Sequence, residues 1–241
     1  MSEILDLSVA VPCFNEAENI PALVARTSAA LETLGLAWEM ILVDDGSRDQ
    51  TREKIQAAAA ADPRVRGAFH QVNRGIVAGW VTGLEQSRGR FVVPLDADLQ
   101  YRPEDISKLW AAMTATGADL VQGWRLASPE HDPARQRYTV MFSRLLNMLF
   151  GMKLQDNKSG FILYRREAMH QVMAERDGFR LFQHFVTVAA HAHGLKIIEV
   201  PVAFDRRQAG TSFITNVFRF ALRAFADFPL ALWKFRLARK A

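Results

Sequence analysis

The sequence of 241 residues has one cysteine, Cys13, so no internal disulfide can form and a reducing compartment is expected. No stretch of 18 residues is free of charge, which excludes an ordinary membrane-spanning helix. The first residues are acidic where a secretory signal peptide is basic. The motifs GxGxxG and GxxxxGK(S/T) are absent, which excludes the usual dinucleotide and P-loop phosphate sites. These absences predict a cytoplasmic protein.

Charge is nearly balanced, with 30 lysines and arginines against 26 aspartates and glutamates. Segment 213–241 has six basic residues and one acid, a net charge of +5, so residues 1–212 sum to −1. A body without excess basic charge argues against nucleic acid as a partner, because a groove that follows phosphates needs basic residues on its own surface. Apolar residues make up 49% of the chain, enough for a large core.

We interpret residues 1–212 as one domain and residues 213–241 as an amphipathic tail. In the tail, aromatic and aliphatic residues alternate with arginine and lysine. This pattern predicts a helix at a membrane surface, with the aromatic rings in the acyl boundary and the cations at anionic headgroups. The alternative is a terminal helix docked on the core or on a neighbouring subunit. A homo-oligomer and a separate membrane partner both stay open.

Apolar runs and helical spacing alternate along the first half of the chain and indicate an α/β fold with a mainly parallel sheet and helices on both faces. The predicted strands are Leu7–Val11, Trp38–Val43, Arg64–Phe69, Phe91–Leu95, Ala118–Gln122, Phe161–Tyr164 and Lys196–Val202, and the predicted helices include Pro21–Leu34, Gly75–Ser87, Pro103–Thr116 and Arg137–Phe150. Asn19 is predicted to cap the first helix, and Ser47 with Gln50 to form a capping box. The glycines of α-helix 75–87 are expected to allow close packing on the sheet. Ligands of such sheets bind at the carboxyl ends of the strands.

The strongest local pattern follows the fourth predicted strand. Asp96 and Asp98, with Gln100 two residues further on, supply hard oxygen ligands for Mg²⁺ or Mn²⁺ and leave coordination positions for substrate phosphates. Asp45 follows the second strand, and its carboxylate suits a ribose hydroxyl or the edge of a base. These residues predict a nucleotide held by carboxylates and by a metal on its diphosphate. The six histidines are expected to be structural or surface residues.

Taken together, the motifs resemble those of family-two glycosyltransferases of the GT-A fold. The similarity rests on VAVPCFNEAENI, ILVDDGSRDQT, NRG followed by AGWVTG, VVPLDADLQYRPEDI, DNKSGFILYRREAM and IIEVPVAFDRRQAGTS. Within that family the chain is most similar to the polyprenyl-phosphate glycosyltransferases, among them dolichol-phosphate mannose synthase and the bacterial undecaprenyl-phosphate enzymes. The resemblance covers about 200 residues and is more specific for fold and donor class than for the acceptor.

The resemblance implies a role for each matching residue. The nucleotide sugar would be bound by Pro12, Phe14, Glu16, Val43, Asp45, Asp96, Ala97, Asp98 and Gln100. The metal would be held by Asp96, Asp98 and Gln100, with Asp98, Arg125 and Arg207 in catalysis. The acceptor phosphate would be met by Arg135, Arg137, Ser143, Arg207 and Ser212. Phe213 departs from the lysine that the family often has there, which removes one cation from the acceptor side.

The implied reaction is inverting transfer of a sugar from a UDP- or GDP-sugar to a polyprenyl phosphate by a peripheral protein at the inner face of the cytoplasmic membrane. An acceptor phosphate is largely ionised at neutral pH and needs cations rather than a base. One alternative is a saccharide or other hydroxyl acceptor, which would require a base, with Asp156 the first candidate. The other is an inactive binding protein, against which the intact Asp96, Asp98 and Gln100 argue.

Overall fold

A computed structural model describes residues 5–126, 133–207 and 224–237, without the side chains of residues 133–136 and 138. The strands are β1 (Leu7–Cys13), β2 (Trp38–Asp44), β3 (Val65–Phe69), β4 (Phe91–Pro94), β5 (Leu120–Arg125), β6 (Ile162–Arg165) and β7 (Ile197–Val202). The helices are α1 (Ile20–Glu32), α2 (Thr51–Ala61), α3 (Ile76–Gln86), α4 (Ile106–Thr116), α5 (Pro133–Phe150), α6 (Arg166–Ala174), α7 (Val186–Ala192) and α8 (Phe228–Leu232), which continues as a π-helical turn, Trp233–Leu237. Short 3₁₀ turns cover Pro103–Asp105 and Phe182–His184.

The seven strands form one sheet in the order β3-β2-β1-β4-β6-β5-β7. Strands β1 to β4 are mutually parallel, and β7 runs parallel to β5. Only β6 among these strands runs against its neighbours, pairing antiparallel with both β4 and β5. The predicted mainly parallel sheet is confirmed. Its carboxyl edge gathers the ends of β1, β2 and β4, which carry three of the predicted motifs.

Helices cover both faces of the sheet, as predicted. One core cluster joins one face to α1, α2 and α4, and the other joins the opposite face to α3 and to α5–α8. Helix α3 lies directly on β1, because a Cβ added at Gly79 would come within 2.7 Å of Pro12 Cβ, and one at Gly83 within 2.6 Å of Ala10 Cβ. The expectation of close glycine packing is confirmed, and it brings the start of α3 next to the loop that follows β1.

Two predicted helix starts differ from the structure. Asn19 makes no side-chain cap, because its amide donates to Glu16 Oε2 instead. Helix α2 begins at Thr51 without the predicted capping box; Asp49 accepts from the Thr51 amide, and the Ser47 hydroxyl accepts from the backbone of Asn15. The Ser47 contact ties the β1 and β2 loops together, so a long-range partner replaces that local cap. The Asn19 contact stays within the loop that follows β1.

Of the predicted tail, the structure describes residues 224–237. These residues form α8 and its flanking turns, and they pack against α5 and α7. The Phe142 and Phe228 rings lie 5.6 Å apart, and the Phe185 and Phe228 rings 5.4 Å apart. This part of the tail is therefore a helix docked on the core, which was the alternative to the membrane-surface helix. Residues 213–223 and 238–241 lie outside the described residues.

Candidate active site at the carboxyl edge of the sheet

Asp96 and Asp98 lie in the turn immediately after β4. Leu99 has a φ of 58°, a left-handed conformation that is costly for a leucine and that occurs most often at functional sites. With this backbone, Asp98 Oδ1 accepts a hydrogen bond of 3.1 Å from the amide of Gln100. Asp98 is buried and Asp96 is half-buried. This turn places both carboxylates at the edge of the sheet.

Arg207 joins this turn to the loop after β1. Its Nη1 donates to Glu16 Oε1 and its Nη2 to Asp98 Oδ2, each over 2.9 Å. One guanidinium therefore lies between two carboxylates that are distant in sequence. The predicted catalytic residues Asp98 and Arg207 are in direct contact.

The position of Arg207 depends on pairing between two distant segments. Tyr101 forms an antiparallel bridge with Phe204. Beside it, the Gln100 side-chain amide donates to the carbonyl of Asp205 over 3.0 Å. Gln100 thus holds the segment that carries Arg207, and its predicted part in binding the metal stays a prediction.

The carboxylates are electrostatically strained. Burial, and next the negative charge of Asp98, raise the pKa of Asp96 to about 7. Burial also raises the pKa of Asp98 and that of Glu16, although hydrogen bonds and the charge of Arg207 oppose the increase. A cluster of this kind favours a bound cation, because each carboxylate raises the energy of its ionised neighbour.

Asp45 follows β2 and is buried. Its Oδ1 accepts from His70 Nδ1 over 2.7 Å and from the Arg74 amide, and its Oδ2 accepts from the Gly75 amide. His70 Nε2 in turn contacts Thr82 Oγ1 at 2.9 Å. In the contact with Asp45 the carboxylate accepts, so His70 Nδ1 is the donor. The Asp45 carboxylate already accepts these three hydrogen bonds. The predicted contact with a nucleotide would have to use the lone pairs that remain on its oxygens.

The other predicted nucleotide residues differ in access. The side chain of Val43 is fully buried beneath α3, which leaves only its backbone for the predicted contact with a base. That contact stays a prediction. Ala97 is also buried, which agrees with a contact through its backbone only. Pro12 and Phe14 are partly exposed beside Glu16 at the end of β1, and their contact with a nucleotide stays a prediction.

Arg125 and Asp156 form a bidentate ion pair next to Asp96. Arg125 Nε lies 2.6 Å from Asp156 Oδ2, and Nη2 lies 2.9 Å from Oδ1. Burial by itself would raise the pKa of Asp156, but the charge and hydrogen bonds of Arg125 and the amide of Lys158 bring that pKa below its usual value. Asp156 is thus an ionised partner that orients Arg125.

A pocket of about 130 Å³ opens between these groups. It is lined by Ile76, Trp80, Asp96, Tyr101, Arg125, Lys158, Gly160, Gln183, His184 and Phe204. Sequence reasoning did not assign Trp80, Lys158, Gln183 or His184 to the site. Trp80 lies within the motif AGWVTG and Lys158 within DNKSGF, and these motifs are the only sequence signals for the two residues. His184 lies outside every matched motif, so no sequence signal points to it.

The structure describes only part of the predicted acceptor set. Ser143 is 2% exposed, and its hydroxyl accepts from the amide of Asn157 over 3.0 Å, so it supports the loop that carries Asp156. Its contact with an acceptor phosphate stays a prediction. Arg137 is exposed on α5. The side chain of Arg135 and all of Ser212 lie outside the described residues.

The turn fits a divalent cation that arrives with a diphosphate. Within residues 5–126, 133–207 and 224–237, no group of three or more histidine, cysteine or acidic side chains forms a closed metal cage. Mg²⁺ and Mn²⁺ at phosphate sites need only one or two carboxylates, since phosphates and water complete the shell. Asp96 and Asp98 meet that need. A bound cation would favour their ionised forms and would therefore lower their raised pKa values.

Comparison with known proteins agrees with this geometry. The family described as glycosyl transferase family 2 matches residues 8–173. The undecaprenyl-phosphate 4-deoxy-4-formamido-L-arabinose transferase of Pseudomonas aeruginosa is 36% identical over 211 residues, which is 86% of this chain and 59% of that protein. The transferase of the same name from Pectobacterium carotovorum is 30% identical, over 88% of this chain and 63% of that protein. The chain thus spans about three fifths of these relatives.

Solved structures show the same fold. Glucosyl-3-phosphoglycerate synthase of Mycobacterium tuberculosis, in complex with Mn²⁺, UDP and glucosyl-3-phosphoglycerate, superposes with a TM-score of 0.71 at 18% identity, covering 96% of this chain and 80% of that one. Its complex with Mg²⁺ and UDP gives a TM-score of 0.70 at 19% identity, covering 96% and 79%. Since the family match spans more than half of the chain and includes the loops that bear Glu16, Asp45, Asp96 and Asp98, this protein belongs to glycosyl transferase family 2.

Proposed function

We propose that this protein transfers a sugar from a nucleoside diphosphate sugar, a UDP- or GDP-sugar, to a polyprenyl phosphate, with inversion at the anomeric carbon. The relatives named above act on undecaprenyl phosphate according to their names, which supports the acceptor class. The observation that carries the proposal is the state of Asp156. This carboxylate, the candidate base for a hydroxyl acceptor, is paired bidentately with Arg125 and has a lowered pKa.

The other titratable groups around the pocket are also poor bases. Burial, and then the charges of Lys158 and Arg125, lower the pKa of His184 to about 3. Burial raises the pKa of Tyr101, so its phenol stays protonated. Asp96 is reserved for the cation. A hydroxyl acceptor needs a base near its proton, whereas an ionised phosphate attacks without one. The lack of a base among these groups therefore favours a phosphate acceptor over a hydroxyl acceptor.

The reaction is a single displacement. A phosphate oxygen of the acceptor bonds to the anomeric carbon as the bond from that carbon to the diphosphate breaks, and the electron pair leaves with the diphosphate. A divalent cation held by Asp96 and Asp98 would stabilise the charge of this leaving group. Arg207, placed against Asp98, supplies a second cation. Arg125 uses Nε and one N–H of Nη2 for Asp156, so both N–H groups of Nη1 and the second one of Nη2 are left as donors for the acceptor phosphate.

The test is a transfer assay over a panel of UDP- and GDP-sugars with Mg²⁺ or Mn²⁺, with and without a short polyprenyl phosphate. We expect turnover only when the lipid phosphate and the metal are both present. Nucleotide sugar binding without any acceleration by the lipid phosphate would overturn the acceptor half of the proposal. No turnover and no nucleotide sugar binding would overturn all of it.

The pH dependence of Asp156→Asn separates the two acceptor classes. We expect kcat to fall by about 10- to 100-fold at every pH from 6 to 9, because Arg125 loses the carboxylate that orients it. The shape of the profile should stay that of the unmodified enzyme. If Asp156 were the base, its loss would remove a titrating limb from the profile. That result would favour a hydroxyl acceptor.

We further propose that the protein binds an anionic membrane surface through α5 and the C-terminal segment. An exposed stripe on α5 contains Arg137, Val140, Met141, Arg144 and Met148, the last of which is 70% exposed. Trp233 and Leu237, 59% and 61% exposed, follow α8, and Arg236 from the same turn donates to the carbonyl of Leu149 on α5. Exposed apolar residues among arginines suit a bilayer with anionic headgroups.

No helix in the described parts of the chain has the length and apolar character to cross a bilayer. The association that we propose is peripheral, at the cytoplasmic face of the membrane.

Vesicle sedimentation tests this surface. Met141→Glu combined with Met148→Glu is expected to weaken binding to vesicles of phosphatidylglycerol and phosphatidylcholine by about 10-fold or more, because two apolar contacts are replaced by charges that the anionic surface repels. The control is Gln56→Glu with Ala60→Glu, which adds the same charge to exposed positions on α2, across the sheet. Equal losses for both pairs, or no binding by the unmodified protein, would contradict the proposal.

A further inference from the structure

The pocket beside Asp96 is partly lined by residues that have no role in the proposed reaction, and its size limits what it can hold. Its volume of about 130 Å³ is close to that of an engineered cavity of about 150 Å³ that takes one benzene ring. Room of this size holds one six-membered ring and not a whole nucleotide. Its far wall is formed by Trp80 from α3, Gly160 from the loop before β6, and Gln183 and His184 from the turn before α7.

Trp80 brings an unused donor to this wall. The residue is 4% exposed, and its Nε1 makes no hydrogen bond to any residue that the structure describes. An indole nitrogen can only donate, and buried donors in proteins are nearly always paired. The edge of the indole next to Nε1 faces Gly160, where an added Cβ would lie 3.6 Å from Cζ2 and 3.9 Å from Cη2. The donor therefore belongs to the side of the ring that borders the pocket.

The charges around this pocket are largely balanced among themselves. Arg125 is paired with Asp156, and Lys158 and Asp96 both line the same pocket. His184 is neutral at physiological pH because burial and the two nearby cations disfavour its charged form. Trp80, Gln183 and His184 therefore offer neutral hydrogen-bonding groups, which match the hydroxyl and amide oxygens of an uncharged sugar better than a second anion.

We propose that this pocket receives the sugar ring of the donor, and that the Trp80 indole N–H donates a hydrogen bond to a hydroxyl or amide oxygen on that ring. The inference rests on the proposed function and adds a determinant of sugar specificity to it. Gly160 keeps the space beside the indole open. The occupant is an uncharged pyranose, whose anomeric carbon would point toward Asp96.

The indole proton of Trp80 reports on this contact directly. In ¹⁵N-labelled protein, the missing signal of Trp80→Phe assigns the resonance, and Trp110, which packs against Phe91 away from the pocket, provides an internal reference. The probes are the donor that supports transfer in the panel, its nucleoside diphosphate alone, and a short polyprenyl phosphate alone. We expect the Trp80 signal to shift downfield with the nucleotide sugar and to stay in place with the other two.

Binding of the same probes to variants gives a second measurement. Trp80→Phe keeps an aromatic ring but loses the donor, and we expect the affinity for the nucleotide sugar to fall by about 3- to 10-fold, the usual effect of one neutral hydrogen bond. Gly160→Ala should also weaken it, because the methyl group enters the pocket without a clash. Neither change should alter the affinity for the nucleoside diphosphate. Trp110→Phe is the matched control.

Two results would overturn the inference while leaving the proposed function intact. The first is a Trp80 shift caused by polyprenyl phosphate but not by the sugar, which would assign the pocket to the acceptor. The second is nucleotide sugar binding that neither moves the Trp80 signal nor depends on Trp80 or Gly160. If no nucleotide sugar in the panel binds, the proposed function fails, and the inference fails with it.

Discussion

Arg207→Ala is expected to lower kcat by about 10²- to 10³-fold, the usual effect of removing one group that stabilises charge in the transition state. Arg207 contacts both Glu16 and Asp98, so its guanidinium lies where the charge of a diphosphate leaving group would develop. Its loss also removes a cation that competes for Asp98. The apparent affinity for Mn²⁺ should therefore rise as kcat falls, and the two changes should be measured together by titrating the metal at saturating donor.

Two further variants make this prediction specific. Arg207→Lys keeps the charge but cannot bridge two carboxylates with a planar fork, so we expect it to recover only part of the rate. Arg26→Ala is the matched control, because Arg26 forms a bidentate pair with Glu104 that is exposed to solvent and contributes little. Full activity in Arg207→Ala would contradict both the leaving-group role and the phosphate-acceptor assignment.

Asp98→Asn is expected to reduce metal-dependent transfer by about 10²- to 10³-fold, which corresponds to the several kcal/mol that a bound cation supplies to charge stabilisation. The amide keeps an oxygen that can accept from the Gln100 backbone, so the turn should survive. Part of the lost activity should come from weaker metal binding and part from a lower kcat. A higher Mn²⁺ concentration should restore only the part that comes from weaker metal binding.

The free energy of unfolding of metal-free Asp98→Asn distinguishes a chemical loss from misfolding. The charge of Asp98 is one cause of the raised pKa of Asp96, so removing it relieves repulsion, and we expect no loss of stability toward urea. The control is Asp62→Asn, which lies between α2 and β3, at the opposite edge of the sheet. An Asp98→Asn protein that keeps full metal-dependent activity would refute the metal site.

The order of the helices and strands could be read from the chain because each is encoded locally. Buried strands such as β2 appear as continuous apolar runs, and α3 shows helical spacing with glycines where it meets β1. The helix starts were predicted less well. Asn19 and Ser47 have the right residue types for caps, but Asn19 donates to Glu16 within the loop after β1. Ser47 accepts from Asn15, because the β1 and β2 loops meet at the edge of the sheet.

Side-chain direction could not be predicted from the sequence. Val43 and Ser143 occupy positions where the resemblance implies ligand contacts; the side chain of Val43 lies under α3, and that of Ser143 accepts from the amide of Asn157. Trp80 lies in the motif AGWVTG, which gave no indication that its side chain borders a ligand, and His184 lies in none of the matched motifs. They border the pocket only because α3, the loop before β6 and the turn before α7 converge there.

The sequence by itself determined the alternation of strands and helices, the family resemblance and the placing of Asp45, Asp96 and Asp98 after strands, because hydrophobic period and local motifs act over a few residues. The tertiary structure alone decided that Arg207 meets Asp98 across 109 residues and that Asp156 pairs with Arg125. It also decided that Trp80 keeps a buried donor without a partner among the described residues. These contacts follow from chain crossovers and packing, which bring distant segments together at distances that no local pattern records.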